Sequence, residues 1–149
     1  MRHLRSILFL GLVLTAATPV FAVDTPTTKT APDLTAIRAL IASKDFKGAV
    51  TDLSAMVDGG VQNPDVYNLL GYSLRESGDL KTALTFYQKA LDFDPNHKGA
   101  LEYSGELYVK IGDLVKARDN EARLEKLCPQ GCEELADLRD AIAQAVKTN

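Results

Sequence analysis

Residues 64–97, PDVYNLLGYSLRESGDLKTALTFYQKALDFDPNH, decide the fold of this chain. Their apolar side chains recur three and four positions apart, which is the spacing of one face of an α-helix, in two separate runs. The first run begins after Asn63, which can cap a helix, and ends at Gly78. The second run begins after Asp79, another helix cap, and ends at Pro95. The stretch therefore predicts two helices joined by a short turn.

The positions that shape this hairpin recur every 34 residues before and after it. The period is shared by turn aspartates, by small residues of the second helices and by apolar residues of both helices. These are Asp45, Asp79 and Asp113; Ala49, Ala83 and Ala117; Phe46, Leu80 and Leu114; and Leu40, Leu74 and Tyr108. A constant period of this length indicates stacked helical hairpins. Gly71 and Ala83 are expected where the helices cross closely, because a larger side chain there would push them apart.

These residues resemble the tetratricopeptide repeat, whose pattern is W-x2-L-G-x2-Y, then A-x3-F, then P. The middle copy, residues 64–97, matches it with Tyr67, Leu70, Gly71, Leu74, Ala83, Tyr87 and Pro95. The third copy, residues 98–131, departs at Glu121, where an aromatic residue is usual. The first copy, residues 32–63, is degenerate and carries Lys44 in place of the turn glycine. The resemblance implies an all-α, right-handed superhelix of three such helix-turn-helix repeats.

A further amphipathic helix is predicted over residues 132–147, after the last repeat. Leu135, Leu138, Ile142 and Val146 follow helical spacing, and acidic residues in the first turn suit the helix dipole. A solenoid needs a terminal element with a polar outer face. This segment is therefore predicted to be a C-terminal capping helix, which makes seven helices in total and no strand.

The first 22 residues have the order of a secretory signal peptide. Arg2 and Arg5 give a basic start, an apolar run of about 11 residues follows, and Ala22 ends a candidate cleavage site. The run is shorter than the roughly 20 residues that a membrane-spanning helix needs. Residues 23–31 are polar and are predicted to be a flexible linker. We therefore expect export, to a bacterial periplasm, without stable membrane insertion.

Composition narrows the function of the 149-residue chain. The 17 Lys and Arg residues against 20 Asp and Glu residues leave a net charge of −3, which disfavours nucleic-acid binding. His97 is the only histidine after the signal, and no nucleophile-elbow, P-loop or zincin motif occurs. We expect no catalysis, no cofactor and no metal site, with His97 as a turn residue. An enzyme with unrecognised carboxylate chemistry would instead show two acids with shifted pKa values. Pairs such as Glu133 and Glu134 are expected to be a solvated face.

Cys128 and Cys132 are the first and last residues of a five-residue segment between the last repeat and the capping helix. Three interpretations stay open. A structural disulfide suits this spacing around a tight turn. Redox activity is a second, because a thiol at a helix N-terminus has a lowered pKa. A soft-metal site for Cu(I) is the third, although no further ligand is close in sequence.

The resemblance also implies a binding surface, because residues of the first helix of each repeat line the concave face in this family. The positions that correspond here include Arg38, Ile41, Asp65, Asn68, Tyr72, Arg75, Glu76, Glu102, Glu106, Val109 and Lys110. Glu102 and Glu106 stand where members that clamp a C-terminal carboxylate carry basic residues, so a basic or mixed peptide fits better. Asn68 could hydrogen-bond a ligand backbone and Tyr72 could anchor it. The predicted function is a non-catalytic adaptor for a protein or peptide partner, or for a second copy. The alternative is a thiol-redox or copper-handling factor centred on the two cysteines.

Overall fold

The computed structural model describes residues 31–148, and every regular element within that range is an α-helix. The seven helices are α1 (Thr35–Ala42), α2 (Phe46–Asp58), α3 (Pro64–Glu76), α4 (Leu80–Phe93), α5 (Lys98–Lys110), α6 (Leu114–Leu127) and α7 (Glu133–Thr148). The predicted signal peptide, residues 1–22, and the predicted linker up to residue 30 lie outside the described residues. From residue 31 to residue 148, no helix combines the length and apolarity needed to cross a bilayer.

The helices pack in the order in which they occur in the chain. Contacts join α1 to α2, α2 to α3, α3 to α4, α4 to α5 and α5 to α6. Helix α3 also contacts α5, and α7 packs on both α5 and α6. The predicted all-α array of helical hairpins is therefore confirmed, with α7 packed on the last hairpin.

The turns inside the three hairpins have the same construction. The side chains of Asp45, Asp79 and Asp113 accept a hydrogen bond from the backbone N–H three residues later, at 2.9, 3.1 and 3.2 Å. This is the capping bond that the first turn of a helix needs, because its N–H groups have no partner within the helix. The aspartates therefore fix where α2, α4 and α6 begin.

The core between α3 and α4 is built around a close approach at Gly71. A β-carbon at Gly71 would lie 2.7 Å from the Tyr87 ring and 3.2 Å from the Ala83 carbonyl oxygen. Tyr87 and Ala83 are fully buried. The predicted close crossing is therefore present, and the Tyr87 ring fills the space that glycine leaves.

The junction between α6 and α7 contains the two cysteines. The structure pairs Cys128 with Cys132 as a disulfide whose Cα atoms are 5.8 Å apart. Cys128 ends α6 and is buried, and Cys132 packs against the adjoining core cluster. The pair therefore joins the end of the last hairpin to the start of α7.

Candidate protein-binding groove

Two neighbouring cavities lie along the helices that come first in each hairpin. We call the more polar one the acidic cavity. It has a volume of about 250 Å³ and is lined by Arg38, Asp65, Asn68, Leu69, Gly99, Glu102, Tyr103, Glu133, Glu134 and Asp137. The aromatic cavity, of about 260 Å³, is lined by Arg38, Ile41, Ala42, Leu69, Tyr72 and Tyr103. Arg38, Leu69 and Tyr103 line both. The two cavities therefore form one groove along α1, α3 and α5, and α7 lines the acidic part of it.

Four of the six predicted binding residues line this groove. Arg38 contributes from α1, Asn68 and Tyr72 from α3, and Glu102 from α5. Ile41 and Asp65 also line it, as their positions imply. The face that was predicted from the resemblance is thus the face that carries the cavities.

Arg75 and Glu106, the other two predicted binding residues, do not line either cavity. The Arg75 guanidinium forms an ion pair with Glu106 of 2.5 Å and another with Glu76 of 3.3 Å. It also lies over the rings of Tyr72 and Tyr103, 5.2 and 5.3 Å from their centroids. Arg75 is therefore committed to contacts between α3 and α5, and it supports the groove wall without lining either cavity.

The two tyrosines that line the aromatic cavity belong to a cluster of edge-on and tilted rings. Tyr72 lies 5.1 Å from Tyr103 and 6.1 Å from Phe46, measured between ring centroids. Such ring pairs contribute about 0.5–1.5 kcal/mol beyond their buried area. The rings are thus held rigidly, which lowers the entropic cost of presenting them to a ligand.

Glu102 is the most unusual group in the acidic cavity. Its side chain is 7 % exposed, and within the described residues it has no hydrogen bond and no ion pair. Burial, together with the neighbouring carboxylates of Glu106, Asp137 and Glu134, raises the pKa of Glu102 to about 8. Each of these effects disfavours the charged form of the carboxyl group. A buried acid without a partner is thus presented to the cavity.

Asn68 faces the same cavity from the opposite helix. Its side chain is 6 % exposed, and its buried Oδ1 finds no hydrogen-bond partner in the part of the chain that the structure describes. Buried amides in native proteins are normally hydrogen-bonded, because an unpaired one costs about 1–3 kcal/mol. The Asn68 amide is therefore a polar group that a ligand in the cavity could satisfy.

The remaining acids of the cavity are partly compensated. Asp65 lies 3.0 Å from Nε2 of His97, whose Nδ1 accepts a hydrogen bond from the N–H of Ala100 and caps α5. Glu134 pairs with Lys98 at 3.5 Å. Among the described residues no ion pair joins Arg38 to any of the five acids. The cavity therefore keeps an excess of negative charge.

Sequence reasoning missed the contribution of α7 and of the neighbouring positions on α3 and α5. Glu133 is exposed, as expected of a solvated face, and Glu134 is half-buried, and both line the acidic cavity with Asp137. The 34-residue period could have revealed that α7 lines the cavity, because the period continues into α7. It relates Asp65, Gly99 and Glu133 in one row, and Leu69, Tyr103 and Asp137 in another. Helix α7 thus takes the position that the first helix of a fourth hairpin would have.

The carboxyl groups of the groove are spread over several helices. No group of three or more His, Cys, Asp or Glu side chains between residues 31 and 148 has the arrangement of a metal site. The carboxyl groups line the cavity from three separate helices, and one of them has a raised pKa. The groove is better suited to hydrogen bonding and charge complementarity.

Comparison with known proteins finds a family match for one hairpin of the array. Residues 64–97 match the model of the tetratricopeptide repeat. The chain is similar to the "Uncharacterized protein ycf37" of Pyropia yezoensis, with 32 % identity over 81 residues, covering 54 % of this chain and 43 % of the relative. It is also similar to the protein of the same name from Guillardia theta, with 36 % identity over 55 residues, covering 37 % of this chain and 31 % of the relative. The chain spans less than half the length of these relatives. Residues 64–97 thus match a tetratricopeptide repeat, and they lie within an array of helical hairpins.

Proposed function

We propose that this protein is a non-catalytic adaptor that holds an extended peptide segment of a protein partner in the groove. The observation that carries the proposal is the continuity of the two cavities along α1, α3 and α5. A groove that runs across successive helices suits an extended chain, and its packed tyrosines suit the aromatic anchoring that dominates many interfaces. Tetratricopeptide repeats typically serve as scaffolds for protein–protein interaction, which agrees with this geometry.

The groove is less suited to catalysis. Carboxylate chemistry relies on two acids whose environments push their pKa values apart. Among the described carboxyl groups, Glu102 is the one whose pKa is raised, and the lowered ones, Asp33, Asp79 and Asp113, are exposed capping or turn residues. This distribution supports binding over bond-making.

The adaptor is proposed to act in the periplasm. The order of residues 1–22 supports export, and a disulfide between Cys128 and Cys132 is stable in an oxidising compartment. Cys128 is 9 % exposed, which favours a structural bond over thiol exchange or copper handling, since both of those need an accessible sulfur.

Site-specific photo-crosslinking in the native host tests the proposed function. A photoreactive amino acid replaces Tyr72 in the groove in one variant and Gln88, exposed on α4, in a matched variant. We expect a discrete crosslinked protein with the reporter at position 72 and none with the reporter at position 88. Equal crosslinking at both positions, or none at position 72, contradicts an adaptor that binds through the groove.

A further inference from the structure

The acidic cavity is built from groups that lack partners, and this feature goes beyond a general peptide groove. Glu102 on α5 and Asn68 on α3 are both more than nine-tenths buried. Within the described residues the buried Oδ1 of Asn68 has no hydrogen-bond partner, and Glu102 makes no ion pair. The two residues are separated along the sequence by one repeat and line the same space. A site that places an unpartnered amide oxygen and a largely buried carboxyl group around one cavity gains from a ligand that bonds to both.

The charge of the cavity decides the sign of the charge on that ligand. Asp65, Glu133, Glu134 and Asp137 surround Glu102, and the positive groups nearby are Arg38 on the cavity wall, Lys98, which pairs with Glu134, and His97, which contacts Asp65. The acids outnumber the cations, so the field favours a positive ligand. A cation that enters would also favour the ionised form of Glu102, which burial otherwise disfavours.

The shape of the cavity decides the kind of cation. Its volume of about 250 Å³ falls below the roughly 300–1,000 Å³ of drug-sized ligand pockets, so it suits one long side chain. Its acceptors come from several directions, with Asn68 on α3, Glu102 on α5 and Asp137 on α7, and the ring of Tyr103 forms part of the wall. A planar guanidinium has five donors in a fixed fork and stacks on aromatic faces, whereas an ammonium is a compact point charge.

We propose that the acidic cavity is a pocket for one arginine side chain of the bound peptide, with Glu102 and Asn68 as its principal acceptors. This assignment rests on the proposed function, because the peptide lies in the adjoining groove. The soft terminal torsion of the Asn68 side chain lets the amide present its oxygen to the guanidinium. The neighbouring aromatic cavity then receives the next side chain along the peptide.

NMR titration of the whole protein tests the assignment with defined probes. The ligand is acetyl-Gly-Gly-Arg-Gly-Gly-amide, and the matched peptides carry lysine or the uncharged isostere citrulline in place of arginine. We expect the arginine peptide to shift the backbone amides of Gly99 and Glu102 and the side-chain amide of Asn68. The lysine peptide should bind more weakly, and the citrulline peptide should leave these resonances unchanged.

Three variants make the test specific. Glu102→Gln keeps the volume of the side chain and should weaken binding of the arginine peptide about tenfold, since a charge-assisted hydrogen bond is lost. Arg38→Gln removes a like charge from the wall and should strengthen binding about twofold to fivefold. Asp119→Asn, which removes an exposed carboxylate on α6 outside the cavity, should leave the affinity unchanged.

Several results overturn the assignment. They are equal shifts with the citrulline or lysine peptide, unchanged affinity of a folded Glu102→Gln variant, and shifts scattered over the acidic surface. The outcome is independent of the crosslinking experiment, because the peptide probe needs no natural partner. Crosslinks at position 72 without an arginine response would refute the pocket and keep the adaptor function, and the reverse result would refute the adaptor function alone.

Discussion

Lys44 occupies the backbone position that Gly78 and Gly112 occupy in the other two hairpins. Its φ is 63°, against 93° and 84° at the two glycines, so all three lie in the left-handed region. In each turn the next residue's N–H bonds back to the carbonyl five residues earlier, for example Asp45 to Leu40 at 2.8 Å. The shared hydrogen bonds impose this conformation, although a residue with a β-carbon adopts it at a cost of about 1–2 kcal/mol.

Replacing Lys44 by glycine should therefore stabilise the protein. Relief of the left-handed strain is partly offset by the greater freedom of glycine in the unfolded chain, about 0.4–1 kcal/mol, so we expect a net gain of about 0.5–1 kcal/mol. Chemical denaturation measures it. Lys44→Ala retains the β-carbon and serves as the control, with unchanged stability. A glycine variant no more stable than the alanine variant would show that the turn is not strained.

Gly71 is the second position at which the size of one residue decides the packing. Gly71→Leu should destabilise the protein by about 1–3 kcal/mol or more, because its β-carbon alone would lie 2.7 Å from the Tyr87 ring. The matched change Lys81→Leu introduces the same side chain at an exposed position of α4 and should alter stability by less than about 0.5 kcal/mol. Thermal unfolding compares the two. Equal melting temperatures would disprove the close crossing.

Glu102 makes stability depend on pH in a predictable direction. Its pKa is about 8 in the folded protein, against the ordinary 4.5, so the folded state binds the proton more tightly. The native state consequently loses stability as pH rises from about 4.5 to about 8, and the loss is complete above that. The charged groups that act on Glu102 are Glu106, Asp137, Glu134 and Arg75. The other charged groups that line or adjoin the cavity are Arg38 on α1, Asp65 on α3, Glu133 on α7, and His97 and Lys98 at the start of α5.

Glu102→Gln removes this titration and tests it. The variant and the wild-type protein should be similarly stable near pH 4.5, and the variant should be about 1–3 kcal/mol more stable near pH 9, since it buries no charge. Asp119→Asn should follow the wild-type pH profile. Denaturant titrations at the two pH values measure the difference. A constant difference between Glu102→Gln and wild type across this range would contradict the raised pKa.

At the scale of elements, α7 compensates for the departure of the third repeat from its pattern. Glu121 stands where the middle repeat has the Tyr87 ring, and it pairs instead with Arg139 of α7 at 3.2 Å. The space beside Gly105 is filled by Leu138 of α7, whose methyl groups would lie 2.7 Å from a β-carbon at Gly105. Helix α7 thus provides to α5 the packing that Tyr87 of α4 provides to α3.

The disulfide should stiffen this junction without deciding the fold. Closing a five-residue loop stabilises by about 2 kcal/mol in the loop-entropy model. Cys128→Ser with Cys132→Ser should lower stability by about that amount, and α7 should stay folded because Leu135, Leu138 and Ile142 are buried in the core. Hydrogen exchange and thermal unfolding check both points.

The reduced wild-type protein is the control for the disulfide variant. It should unfold at the same temperature as the double serine variant. Loss of protection throughout α7 in either protein would show that the bond holds the helix in place. An unchanged melting temperature in both would show that the cysteines contribute nothing to stability.

The elements were predictable from the sequence because local signals specify them. The capping aspartates, the left-handed turn position and the 34-residue period each depend on nearby residues. The groove was predicted only in part, since Arg75 and Glu106 neutralise each other and α7 adds Glu133, Glu134 and Asp137. The raised pKa of Glu102 was not predictable, because it arises first from burial and then from Glu106 on the same helix and from Asp137 and Glu134 on α7.

At the scale of the whole molecule, alternate helices of the described chain line the groove. Helices α2, α4 and α6 contribute no residue to either cavity of the groove, and α1, α3, α5 and α7 contribute all of them. The second helices fill the core with residues such as Leu53, Tyr87 and Leu124, which are fully buried. Changes in the groove should therefore alter binding more than folding.

The most direct measurement is the affinity of the partner recovered by crosslinking for the variant Asn68→Ala with Tyr72→Ala. Asn68 makes no hydrogen bond within the described chain and Tyr72 contributes ring contacts, so folding should lose only about 1 kcal/mol. The control, Thr85→Ala with Gln88→Ala, changes exposed residues of α4. Calorimetry should show binding reduced at least about a hundredfold in the groove variant and unchanged in the control. Wild-type affinity in a folded groove variant would contradict the account.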